Sequence, residues 1–294
     1  MTIKKNILEI DKNFVAEKVE HNGMRVYDVG DEPFKIYGVK KRKDGKGYER
    51  MQSDIAEKIP NLSINSLYSN TSGGRIRFRT DSSRIILRCI LPKVESFPDM
   101  PLTGSSCFDL YVDGTYFNVF RPGIDKDGNY ADTTMSKDGY ESGFYLGERK
   151  MRDILIHFPL YNDVSEVFIE LEDEAMVASP KEYRYREPVV YYGSSITQGG
   201  CASHPGNSYP AIIARRMDID YINLGFSAGC FSEPEMAEYI SGLKMEVLVY
   251  DYDHNAGDLQ YLEKTHEAFY KRIRQKQPGL PIVIVSAADS SFGN

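Results

Sequence analysis

A chain of 294 residues, 41% of them hydrophobic and 27% charged, has room for two domains with a core each and is globular rather than disordered. A net charge of −7 argues against a nucleic-acid partner, since backbone binding needs a basic face. No apolar run approaches the roughly 20 residues that span a bilayer, so no membrane is expected as a partner, and the four cysteines (Cys89, Cys107, Cys201, Cys230) show no CxxC pairing that would suggest zinc or redox chemistry.

At the N-terminus, Glu9 and Asp11 fall where a secretory signal has its apolar centre, so a cytoplasmic protein, or one whose export signal has been removed, is expected. Lys40-Lys41-Arg42-Lys43 with Lys46, interrupted by Asp44-Gly45, reads as a solvated hairpin loop rather than a phosphate site. From about residue 34 to 171 apolar and polar residues alternate, as in Arg75-Ile76-Arg77-Phe78-Arg79 and Val167-Phe168-Ile169-Glu170-Leu171. A period of two describes strands with one side on a core and one in water. Turn signals such as Ser72-Gly73-Gly74, Asp113-Gly114, Asp127-Gly128-Asn129 and Asp138-Gly139 separate these runs, which predicts an all-β sandwich or jelly roll over residues 1–180. Helix is nearly absent there; residues 53–59 are read as one short turn at most. The 21 Tyr and 14 Phe, with no Trp, fit a carbohydrate site and fit strands equally well.

After the linker Ala178-Ser179-Pro180-Lys181-Glu182 the period changes. Val189-Val190-Tyr191-Tyr192 is a short apolar strand, and Pro210, Ile213, Ala214 and Met217 form a helical stripe. Tyr221-Ile222-Asn223-Leu224 is a second strand, Met236, Ile240 and Leu243 mark a helix, and Val247-Leu248-Val249-Tyr250 is a third strand. Leu259, Leu262, His266, Phe269 and Ile273 mark a last helix before the strand Pro281-Ile282-Val283-Ile284-Val285. Continuous apolar strands alternating with helices predict an α/β domain, residues 181–294, with helices on both faces of a parallel sheet. That domain breaks off just after a strand, which leaves one sheet face poorly covered.

Open parallel sheets bind ligands beyond the carboxyl ends of their strands. Those ends read Gly193-Ser194-Ser195-Ile196-Thr197, Gly225-Phe226-Ser227-Ala228-Gly229 and Asp251-Tyr252-Asp253-His254-Asn255. A hydroxyl, a turn of small residues and an asparagine on one edge are the parts acyl transfer needs: a nucleophile and donors for an oxyanion. A serine after a strand is otherwise most often a helix cap. Asp251 and Asp253 also invite a metal reading, but carboxylates one residue apart are common at strand ends, and neither metal nor cofactor is expected.

The stretch from Gly193 to Ser203 resembles block I of the SGNH (GDSL-type) hydrolases, in the branch where Ser or Thr replaces the Asp of Gly-Asp-Ser. Asn223-Leu224-Gly225-Phe226-Ser227 with Glu233-Pro234-Glu235 resembles block II, and Asn255 stands at the block III asparagine. Upstream, Phe108-Asp109-Leu110-Tyr111 resembles the motif of the β-sandwich that precedes these hydrolases, with Cys107 where its relatives carry Gly. The resemblance implies a three-layer, flavodoxin-like second domain, incomplete at its C-terminus. It implies Ser195 as nucleophile and three oxyanion donors: the backbone N–H of Ser195, the N–H of Ala228 and the Asn255 side chain. Position 228 is usually Gly in this branch, and Ala serves without cost only at negative φ.

The family's catalytic Asp-x-x-His has no counterpart here. The histidines are His21, His157, His204, His254 and His266. His266 lies on an apolar helical stripe and reads as a core histidine. His254 sits on the correct edge, but neighbouring strand-end residues point oppositely, so His254 and Asn255 are not both expected to face Ser195. His204 and His254 remain candidates for lining a substrate pocket. One cut explains both the absent strand–helix unit and the absent base, so truncation is expected. The resemblance implies a carboxylic-ester hydrolase that removes acyl groups, O-acetyl from carbohydrate, through an acyl-enzyme, with turnover by these 294 residues expected to be low. The alternative is a non-catalytic carbohydrate-binding protein with a degenerate SGNH domain. The partner in either case is a small-molecule or carbohydrate ester.

Overall fold

The computed structural model describes residues 23–286; the segment holding Glu9, Asp11 and His21, and the last eight residues, lie outside the described residues. The alternating runs form two antiparallel sheets. The first orders β1 (Met24–Asp28), β11 (Glu166–Glu172), β6 (Arg84–Ile90) and β9 (Tyr140–Tyr145). The second orders β12 (Val177–Ala178), β5 (Arg75–Thr80), β10 (Arg152–His157), β7 (Phe108–Val112) and β8 (Thr115–Phe120), with β2 (Lys35–Tyr37) also pairing β5. Ile85, Leu87, Ile169 and Leu171 from the first sheet meet Ile76, Phe78, Leu110, Ile154 and Ile156 from the second in one core. That face-to-face burial makes a sandwich. The basic run does lie on a hairpin, β3 (Lys40–Lys41) with β4 (Tyr48–Glu49), and Lys40 and Lys41 are exposed.

The second half forms a four-stranded parallel sheet ordered β14 (Tyr221–Gly225), β13 (Val189–Gly193), β15 (Val247–Asp251) and β16 (Ile282–Ile284). Alternation splits β13 between two cores: Val190 and Tyr192 face one side, Val189 and Tyr191 the other. Numbering helices along the chain, α1 (Ser53–Ala56), α2 (Leu62–Leu67) and α3 (Leu102–Ser105) precede the sheet, and α4 (Ser195–Gln198), α5 (Tyr209–Met217), α6 (Pro234–Ser241) and α7 (Leu259–Lys276) accompany it. Met236 and Ile240 of α6, with Phe269 and Ile273 of α7, cover the Val190–Tyr192 side. Ala211 and Ala214 of α5 cover the other. On β16, Val283 and Ile284 are about half exposed, 49% and 51%.

One expectation needs correction. Residues 53–59 are not a lone turn inside the sandwich half: α1 and α2 place Ala56, Ile59 and Ile64 in the same core as the parallel sheet. The first half of the sequence therefore supplies part of the covering layer of the second. Both helices are too short for a helical period to show in the sequence.

Candidate active site

Strand order reverses at β13: β14 lies on one side and β15 on the other, so the crevice beyond their carboxyl ends is the topological switch point where open α/β sheets bind ligands. Ser195 is the first residue of α4, half-buried at the end of β13. Its neighbour Ser194 is buried and committed as the helix cap, its hydroxyl accepting from the Ile196 N–H at 3.2 Å. Of the two serines, Ser195 is thus the one left to face the crevice. The α4 backbone reaches this position only because two strand ends are glycine. A Cβ on Gly193 would meet the Thr197 hydroxyl at 2.1 Å, and one on Gly225 would meet the Gln198 nitrogen at 2.2 Å.

Side chains of α4 tie the three strand ends together. The Gln198 Oε1 accepts from the Ser227 N–H at 3.0 Å, fixing the turn after β14. Thr197 donates to Asp251 at 2.9 Å, and Tyr209 donates to the same oxygen at 3.1 Å, fixing the end of β15. Asp251 is thus a buried structural acceptor, and no cluster of three metal-ligating side chains occurs among the described residues. Ala228 adopts φ +52°, the left-handed region, so the substitution for glycine there carries strain. Residues 253–255 form a 3-10 turn rather than a strand extension, so the alternation argument about His254 and Asn255 does not apply to them. Asn255 is partly buried and its Oδ1 has no partner. A strained turn and an unsatisfied amide on one edge are features that persist at functional sites.

The first half of the chain braces the loops after β13 and β14. Tyr161 donates to the Ser195 carbonyl at 3.3 Å, and Ser72 donates to the Gln198 carbonyl at 2.6 Å. Gln198 Nε2 donates to the Leu160 carbonyl at 3.1 Å. Asn61 donates to the Gly229 carbonyl at 2.8 Å, and Ser63 donates to the Ala228 carbonyl at 3.2 Å. Arg50, buried and lying 4.5 Å over Phe226, donates to the Gly225 carbonyl at 2.5 Å. Burial pushes its guanidinium down to about 9, against the opposing pull of Tyr161 and Asp163. These braces had no signal in the sequence, because each joins positions far apart in the chain.

The histidines are mostly committed. His204 is buried, not a loop residue in solvent: its Nδ1 bonds Asp109 at 2.6 Å and its ring stacks on Tyr116 at 4.3 Å. Asp109 is fully buried and also accepts from His157 Nδ1 at 2.6 Å and from the Gly206 N–H at 2.5 Å. These bonds hold its carboxyl far below the usual carboxylate range despite burial, while burial pushes His157 down. The Asp of the Phe-Asp-Leu-Tyr motif is therefore a clamp between sandwich and block I loop; it lies on the sheet face opposite Phe108 and Leu110, where alternation in the sequence reads as an ordinary solvent-facing position. His266 is half-buried, tilted against the Tyr250 ring at 4.8 Å. His254 is exposed on the 3-10 turn beside Asn255.

A sandwich is thus braced against a 2-1-3-4 parallel sheet with a serine at its switch point. Residues 24–177 match the N-terminus of SGNH-hydrolase-type esterases (GxDLY), and residues 186–293 match the GDSL-like lipase/acylhydrolase family. The chain belongs to these SGNH-type esterases and is a hydrolase acting on ester bonds. Comparison with curated proteins gave no match. Among solved structures it is similar to a GDSL-like lipase from Bacteroides ovatus (23% identity, TM-score 0.74, 89% of this chain and 73% of that one). It is also similar to the salicylyl-acyltransferase SsfX3 from a tetracycline biosynthetic pathway (20%, TM-score 0.67, 89% and 72%). A third is a family two carbohydrate esterase from Cellvibrio japonicus (10%, TM-score 0.57, 92% and 81%). At these identities the likeness is one of fold.

Proposed function

We propose that the chain binds a small acyl ester, an O-acetyl group on a carbohydrate, with Ser195 as nucleophile. The Ser195 Oγ attacks the carbonyl carbon, the oxyanion is held by the N–H groups of Ser195 and Ala228 and by the Asn255 amide, the alcohol leaves, and water releases the acid. What carries this reading is the convergence at the switch point of an uncommitted serine, a turn held left-handed at Ala228 and the Asn255 side chain, whose Nδ2 is the donor the oxyanion needs. The carbohydrate part rests on family-two carbohydrate esterases having the same fold.

Proton transfer is the weak step. His157 and His204 are bound to Asp109, His266 lies against Tyr250, and the family's Asp-x-x-His is absent from these 294 residues. Without a base the hydroxyl stays protonated and reacts slowly. We therefore expect slow hydrolysis of p-nitrophenyl acetate by this chain, and labelling by a serine-directed fluorophosphonate. Ser195→Ala should abolish both with stability unchanged within about 0.5 kcal/mol. Rates and labelling indifferent to Ser195→Ala would sink the esterase assignment. A second reading is a site that holds an acetylated saccharide without turning it over. Its signature is saccharide binding with no acetate released, equal in the parent chain and in Ser195→Ala.

A further inference from the structure

A cleft of about 150 Å³ opens between the outer face of the second sandwich sheet and helix α5. It lies near Tyr221, where β14 begins, so it is at the amino-terminal edge of the parallel sheet. The candidate catalytic edge is four residues along the same strand, about 13 Å away. Three guanidinium groups line the cleft, each lying over a tyrosine ring: Arg75 over Tyr221 at 3.8 Å, Arg77 over Tyr183 at 3.9 Å and Arg215 over Tyr111 at 4.2 Å. Stacking fixes the plane of each fork and leaves its N–H edge for recognition of a planar or tetrahedral oxyanion.

Charge accounting singles out two of the three. Arg75 is ion-paired with Asp220, and the lining carboxylate Asp153 is paired with Lys181 at 2.5 Å. Arg77 and Arg215 have no carboxylate partner among the described residues, and the remaining lining carboxylate, Asp218, is exposed at the rim. Arg215 spends one N–H on the Gly206 carbonyl at 2.6 Å. Two buried polar atoms of the lining residues have no hydrogen-bond partner: Nη1 of Arg77 and Nε2 of His157. Since His157 donates through Nδ1 to the Asp109 carboxylate, its neutral Nε2 is an acceptor. Buried unsatisfied groups of complementary kind, one cationic donor on Arg77 and one acceptor on His157, with the Arg215 guanidinium beside them, point to a ligand that satisfies both.

We propose that this cleft is a binding site for a small oxyanion that also carries a hydroxyl, of which hydrogen phosphate is the simplest and an α-hydroxy acid the carboxylate counterpart. Its oxygens accept from Arg77 and Arg215, and its hydroxyl donates to Nε2 of His157. Because Arg77 belongs to the sandwich and Arg215 to α5, an occupant joins the two halves of the molecule.

Calorimetric titration of the 294-residue chain with inorganic phosphate, and separately with glycolate, at constant ionic strength tests this. Saturable one-to-one binding of either, weakened about tenfold or more by Arg77→Met and by Arg215→Met, supports the site. Arg77→Lys keeps the charge but not the fork. It should fold normally by circular dichroism and still bind more weakly. Ser195→Ala should bind as the parent chain does. No saturable binding of either probe, or binding unchanged in both arginine variants, overturns the proposal.

Discussion

Ala228 shows most directly how one side chain sets the candidate oxyanion turn. At φ +52° an L-residue pays about 1–2 kcal/mol for the approach of its Cβ to the carbonyl. The position is held from outside, since Ser63 donates to its carbonyl and the flanking Gly229 bonds Asn61. Ala228→Gly removes the strain but loosens the unfolded chain by roughly 0.5–1 kcal/mol. The expected result is a gain of about 0–1 kcal/mol in urea denaturation. Ala228→Val puts a branched Cβ in the same conformation and should cost about 1–3 kcal/mol. If the glycine variant proved markedly less stable than the parent, the left-handed turn would not be the native geometry.

At the scale of elements, α2 shows how the first half of the chain enters the site. Asn61 caps it, its Oδ1 accepting from the N–H groups of Ser63 and Ile64, while its Nδ2 reaches Gly229 and Glu233 on the block II side. Asn61→Ala removes a cap worth about 1 kcal/mol and leaves buried acceptors unpaired at about 1–3 kcal/mol more. A total loss near 2–4 kcal/mol is expected, with faster amide exchange at Ala228 and Gly229. Ser66→Ala, on an exposed position of the same helix, should change little. Equal exchange rates at the turn in both variants would show that α2 does not brace it. The strands and α5 to α7 were legible because their apolar periods are local and long enough to read. Ser195, Ala228 and Asn255 were legible as three strand ends on one edge. Segment α1–α2 was not, being two short helices with Leu62 86% exposed. Nor were the braces, since Asp109 and His204 are 95 positions apart and no period links them.

The whole molecule is joined through Asp109, and that joint should respond to pH. Its carboxylate accepts from the His157 imidazole on its own sheet and, across the interface of the two halves, from the His204 imidazole and the Gly206 N–H. His157 is held below its ordinary value by burial, so below about pH 6.5 the unfolded chain binds a proton that the native chain refuses. Stability therefore falls as pH drops from about 6.5, by at most about 1.4 kcal/mol per pH unit from this one group. Asp109 is held below its unfolded value, so a second loss begins near pH 4 and continues as pH falls through the folded value. Glu233, raised by burial, acts in the opposite sense, so the comparison must be between variants. Measured as unfolding free energy from pH 8 to 3.5, His157→Gln should remove the first decline relative to the parent chain. Asp109→Asn should cost about 3–5 kcal/mol at neutral pH, because it leaves buried donors facing a donor, and should make the second decline shallower, Asp81 and Glu172 being also held low and still contributing to it. Should both variants decline in parallel with the parent, the interface would not be held by the Asp109 carboxylate, and the sandwich would be joined to the block I loop by its other hydrogen bonds and by packing.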